Sequence, residues 1–88
     1  MRSEVSDWIL TIKQRPLHDE KVIYWSSRVG MWRGKYDRKF RSFYGRGGFL
    51  DVHDVECWQH DNGQDFPSAD TIPDELMAER EEWLNRHK

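Results

Sequence analysis

Lys21-Val22-Ile23-Tyr24-Trp25 is the stretch whose reading decides the fold. Its β-branched and aromatic side chains suit a pleated, half-buried surface, so it reads as a strand. Ser26-Ser27-Arg28 follows as a turn, and Val29 to Tyr36 reads as a second strand. Alternation puts Trp32 and Tyr36 on one face of that strand and Met31, Arg33 and Lys35 on the other. Gly30 and Gly34 weaken it and mark a bulge or a close approach of backbones. After a turn at Asp37-Arg38-Lys39, Phe40 to Tyr44 forms a third strand. Gly45-Arg46-Gly47-Gly48 is a flexible connection. Phe49 to Trp58 is the last strand, with Val55 and Cys57 opposite Glu56 and Trp58. Short connections between successive strands predict an antiparallel meander.

Working outward, the N-terminal segment supports two readings. Val5, Trp8, Ile9 and Ile12 have helical spacing from about Ser3, whereas Trp8, Leu10 and Ile12 alternate as in a strand. Pro16 ends either one. Residues 59–70 are rich in breakers and read as loop. Thr71-Ile72-Pro73-Asp74 then starts a helix, with Thr71 as N-cap and acids at the positive end of the dipole. Ile72, Leu76, Arg80, Trp83, Leu84 and His87 follow one face to the C-terminus. Glu75, Glu79 and Glu82 line the face beside it. The expected fold is α+β: a small twisted antiparallel sheet of three to four strands with a C-terminal helix packed on one face. Residues 1–88 form one domain, a β-rich body over 1–70 and an acidic helix over 71–88. The expected core is Trp8, Val22, Tyr24, Trp32, Tyr36, Val55, Trp58, Leu76 and Trp83.

Composition agrees. Hydrophobic residues are 36% of the 88 and aromatics 14%, so the core must be built from a few large rings. A single Cys excludes an internal disulfide and a multi-Cys zinc site, and it points to a reducing compartment. No run reads as a signal peptide or membrane span, so the expectation is a soluble, cytoplasmic protein. The net charge of −2 conceals a division: residues 1–50 carry +6 and residues 51–88 carry −8.

Trp8-Ile9, Pro16 and Val22-Ile23-Tyr24, followed by Gly30-Met31-Trp32, Gly34-Lys35-Tyr36 and Asp54-Val55-Glu56-Cys57-Trp58, form a familiar series. Over residues 8–60 it resembles a family of short phage and prophage proteins catalogued only as a domain of unknown function. That resemblance implies a small β-rich fold and a phage or prophage origin, and it implies no activity. Gln59-His60-Asp61-Asn62-Gly63 before Pro67 departs from the family's Pro-rich ending, and the acidic helix is an extension outside its pattern.

Two charged constellations are candidate binding surfaces. Arg33, Lys35, Arg38, Lys39, Arg41 and Arg46 are interleaved with Trp32, Tyr36, Phe40, Phe43 and Tyr44. Bases neutralise phosphates and rings stack on unpaired bases, so this segment suits nucleic acid, unless its rings are core and its charges a solvated face. A third reading has this face receiving the chain's own acidic helix. Glu75, Glu79 and Glu82 place carboxylates about 6 Å apart, close to the spacing of phosphates, and suit a protein that normally grips nucleic acid. The same stripe also has the ordinary reading of a solvated helix face.

Catalysis has little support. His53, Cys57 and His60 lack a fourth metal ligand, and Cys57 reads better as a buried strand residue. Asp51, His53 and Asp54 lack a nucleophile and an oxyanion donor. Gly45-Arg46-Gly47-Gly48 has no Lys-Ser/Thr after it and is no P-loop. Trp83 reads as an anchor of the helix on the sheet, or as an interface residue if exposed. The expectation is therefore a non-enzymatic phage or prophage accessory protein, without cofactor or metal, that binds and inhibits or modulates a host macromolecule such as a defence or transcription protein. The alternative is a small nucleic-acid-binding module using the basic segment 28–46. An edge-to-edge homodimer would be one way to cover the exposed strand edges.

Overall fold

The computed structural model describes residues 7–87; Ser3 and Val5 of the helical reading lie outside the described residues, and from Trp8 to Ile12 the chain is a short strand and a turn, not a helix. Six strands make one antiparallel sheet: β1 (Ile9–Leu10), β2 (Lys21–Ser26), β3 (Gly30–Asp37), β4 (Ser42–Gly45), β5 (Gly48–Asp51) and β6 (Cys57–His60). The spatial order is β1-β6-β2-β3-β4-β5. One helix, α1 (Asp74–Arg86), follows. The fold is α+β as expected, but with six strands in place of three to four. The alternating reading of the N-terminal segment is the one that forms, as the two-residue β1, and the run from Phe49 to Trp58 is two strands, not one. A 3₁₀ turn at Val52–Asp54 divides it, capped by the Asp51 carboxylate accepting from the His53 N–H at 2.9 Å. That break reverses the expected faces: Val55 joins Trp58 in one core cluster, and Cys57 lies in the other.

The connection through Val52 and Val55 leaves β5 at one edge and re-enters as β6 between β1 and β2. Crossing the sheet, it covers the face carrying Val22, Tyr24, Tyr36, Phe43 and Trp58. The sheet coils tightly enough that Tyr24 on β2 and Phe43 on β4 touch across β3, ring centroids 5.0 Å apart. Two glycines paired in register, Gly34 and Gly45, make this possible. A Cβ on Gly34 would lie 2.1 Å from the Tyr44 carbonyl oxygen, and one on Gly45 2.5 Å from the Arg33 carbonyl oxygen. Gly45-Arg46-Gly47-Gly48 is accordingly a tight hairpin and not a loose connection, with Gly48 at φ 93°.

The opposite face holds Ile23, Cys57 and Trp8, against which Ile72, Leu76 and Met77 pack, with Trp25 and Met31 at the margin. The helix begins at Asp74, three residues later than expected. Pro73 holds Ile72 extended (ψ 118°), so helical geometry starts only beyond it. Thr71 does not cap α1; its hydroxyl accepts from Trp8 Nε1 at 3.1 Å and donates to the Ser68 carbonyl at 2.6 Å. Of the expected core, Trp32, Leu76 and Trp83 are only half-buried. Trp83 stacks on His87 of its own helix, centroids 3.8 Å apart. Ile23, Phe43, Val52 and Cys57 are buried core residues outside the expected set.

Because the Gly34 clash is with backbone, Gly34→Ala is expected to cost about 1–3 kcal/mol. For a chain of this size that lowers Tm by several degrees, measurable by thermal denaturation, whereas Leu17→Ala at an exposed position should leave Tm unchanged.

Candidate functional site

A cleft of about 1010 Å³ lies on the helix side, between β6, the loop after it and the start of α1. Trp8 and Leu76 supply apolar wall, and Gln59 and Gln64 supply amides. Long-range contacts assemble it. Trp8 is held through its indole N–H on Thr71, and Gln64 Nε2 donates to Gln59 Oε1 at 3.0 Å and to the His60 carbonyl at 2.9 Å. The charged groups on the wall are Asp7, Glu75 and Glu79, all carboxylates. The Glu79 carboxylate also meets Lys13. Glu75 forms no ion pair among the described residues and is exposed. Glu82 is not part of the cleft; it lies a turn further on, within 3.9 Å of Arg86. Two of the three stripe residues therefore share one site.

The six basic candidates are distributed over three places. Arg33 and Lys35 are on β3, on the helix-packed face of the sheet; Arg38, Lys39 and Arg41 are in the hairpin between β3 and β4; Arg46 is in the turn between β4 and β5. Arg33 is already engaged, with Nε 3.0 Å from Asp61, its guanidinium on the Gln64 carbonyl and its Cζ 4.9 Å from the Phe66 ring centroid. The loop 61–66, not the acidic helix, receives it. The rings divide as well: Tyr36 and Phe43 are buried, while Phe40 is 69% exposed and Phe49 75%.

The residues weighed for metal do not converge. Cys57 is fully buried beneath the helix, His53 is exposed in the 3₁₀ turn, and His60 pairs with Glu20. Among the described residues no three His, Cys, Asp or Glu side chains group so as to hold an ion. Burial pushes the Cys57 thiol up to about 12, with the Glu56 carboxylate adding to the rise and Arg80 opposing it. A thiol so raised is a poor nucleophile at neutral pH. No helix of the described residues is long and apolar enough to cross a membrane.

Comparison with protein-family models finds no match, and neither the curated proteins nor the solved structures provide one.

The cysteine sets a pH dependence. Above its ordinary value of 9.0 the unfolded thiol loses its proton while the folded one keeps it to about 12. The folded state then binds more protons, so stability falls as pH rises through that window, by up to about 1.4 kcal/mol per pH unit. Denaturant melts from pH 8 upward should show wild type losing stability more steeply than Cys57→Ala. Parallel slopes for the two chains would contradict the buried thiol.

Proposed function

We propose that this chain is a non-catalytic binding module that works by occupying a macromolecular partner, as a phage or prophage accessory protein acting on a host protein would. The observation that carries this reading is the helix-side cleft, whose charged wall residues are all acidic: Asp7, Glu75 and Glu79. Carboxylates above an apolar floor of Trp8 and Leu76 suit a basic side chain whose methylene stem lies on the rings and whose charge meets the acids. The partner surface is then a basic one, of the kind found where a protein holds nucleic acid. Occlusion of that surface would inhibit it without any chemistry. Glu82 contributes to the field around the cleft, and the basic candidates are not needed for this contact. The nucleic-acid alternative is weakened by the dispersal of the six bases over three places and by the capture of Arg33 in the loop 61–66.

The test is affinity capture of the tagged full chain from nuclease-treated host lysate, beside the double variant E75K/E79K. A protein retained stoichiometrically by wild type should fall by roughly an order of magnitude with the variant. Equal retention by both chains would overturn the cleft as the contact. Material released by nuclease alone would favour the nucleic-acid alternative.

A further inference from the structure

A second cavity, of about 410 Å³, opens between the segment 15–18 and the end of β3, away from the helix-side cleft. Arg15, Leu17, His18, Tyr36, Arg38 and Arg41 line it. Its frame is held by backbone pairing: the Asp19 N–H donates to the Tyr36 carbonyl at 2.7 Å and the Tyr36 N–H to the Glu20 carbonyl at 3.3 Å. The Arg38 N–H donates to His18 Nδ1 at 3.2 Å, and the other ring nitrogen, Nε2, lies 3.8 Å from the Asp19 carboxylate. The Tyr36 ring is 2% exposed and fixed against Phe43, centroids 5.0 Å apart. Its hydroxyl makes no hydrogen bond with the described residues.

Three arginines, Arg15, Arg38 and Arg41, line the cavity, and none of them forms an ion pair among the described residues. Burial raises the Tyr36 phenol above its ordinary value, Arg15 and Arg41 pull it back, and Asp37 and Asp51 push it further up. The phenol is thus a protonated donor at neutral pH, close enough to both arginines to feel them. The nearby carboxylates are engaged: Asp37 accepts from the Phe40 N–H and Asp51 from the His53 N–H, each at 2.9 Å, and Asp19 accepts from the Tyr44 hydroxyl at 3.0 Å and lies 3.8 Å from His18 Nε2.

We propose that this cavity binds a phosphate monoester, its terminal oxygens held by Arg15, Arg38 and Arg41 and by the Tyr36 hydroxyl. Planar guanidinium forks match phosphate oxygens two donors at a time, and donors arriving from separate segments enclose a terminal group. A phosphodiester backbone needs instead a track of bases across the surface, and Arg33, Lys35 and Arg46 lie outside this cavity. The exposed Leu17 at the rim offers apolar contact to the group that carries the phosphate. A mononucleotide and the 5′-phosphorylated end of a strand both present this chemistry. The inference is independent of the cleft.

The experiment is a titration of the isotopically labelled full chain, followed by amide NMR at constant chloride, with inorganic phosphate, AMP and adenosine. Phosphate and AMP should shift the amides of residues 15–19 and 36–41, and adenosine should not. Tyr36→Phe, which removes only the hydroxyl, should weaken AMP severalfold, and R15Q/R38Q by about tenfold or more. A 5′-phosphorylated oligonucleotide binding more tightly than its 5′-hydroxyl twin assigns the site to strand ends; equal binding of the two, weaker than AMP, assigns it to mononucleotides. No shift with phosphate or AMP overturns the proposal. So does AMP binding untouched in R15Q/R38Q, or both oligonucleotides binding alike and tighter than AMP.

Discussion

The contact between Tyr24 and Phe43, made over a position of β3 that carries no side chain, Gly34, is what the remaining architecture depends on. The two rings belong to β2 and β4, with Gly34 of β3 between them. Neighbouring strands run about 4.8 Å apart, so rings two strands apart meet at 5.0 Å only where the sheet bends sharply. The bend brings β5 round until its continuation crosses the concave face, inserts Val52 and Val55 over the rings, and pairs as β6 beside β2. Burial raises the Tyr24 phenol, in keeping with its enclosure. Without the glycine pair the sheet would be flatter and its ring face uncovered.

Once the concave face is closed by the chain's own crossover, the convex face is free to take the helix. Leu76 and Met77 settle on Ile23 and Cys57, and Trp8 is clamped from the side by Thr71. This also explains how the basic and acidic halves of the chain coexist. Among the described residues they are stitched by three pairs, Arg28 with Asp54, Arg33 with Asp61 and Lys13 with Glu79, and at each the side chains are partly solvated. Pairs of that kind contribute about 0–1 kcal/mol each, so apolar packing, not charge attraction, holds the helix down. The charges outside the stitches are left available to act outward.

Much of this was legible in the residues. The strands β2 and β3, the faces of Trp32, Tyr36, Arg33 and Lys35, and a helix carrying Glu75 and Glu79 all follow from local pattern. Cys57 reads from the sequence as a buried strand residue, and it is buried; Ile23 stands outside the expected core because the expected sheet is covered on one face. Val22-Ile23-Tyr24 buried without alternation is the mark of a strand covered on both faces, so that signal was present. The cleft was not legible, since Trp8, Gln59 and Leu76 come together only through β6 inserting between β1 and β2. The cavity at Tyr36 depends on Asp19 at φ 63° and Arg41 at φ 53°, left-handed positions with no glycine to announce them.

Counting bases along segment 28–46 overstates its local potential, for a geometric reason. A strand sends successive side chains to opposite faces, so Arg33 and Lys35 go to the helix side while Tyr36 turns into the core. The hairpin then carries Arg38, Lys39 and Arg41 beyond the sheet's end, and the next turn takes Arg46 to the other end of β4. Arg15, distant in sequence, does more for the potential at Tyr36 than Arg33 or Lys35, since it is the guanidinium that acts most strongly on that phenol. Charge that is dense in sequence is therefore dispersed in space, and charge that is dense in space is drawn from two segments a score of residues apart.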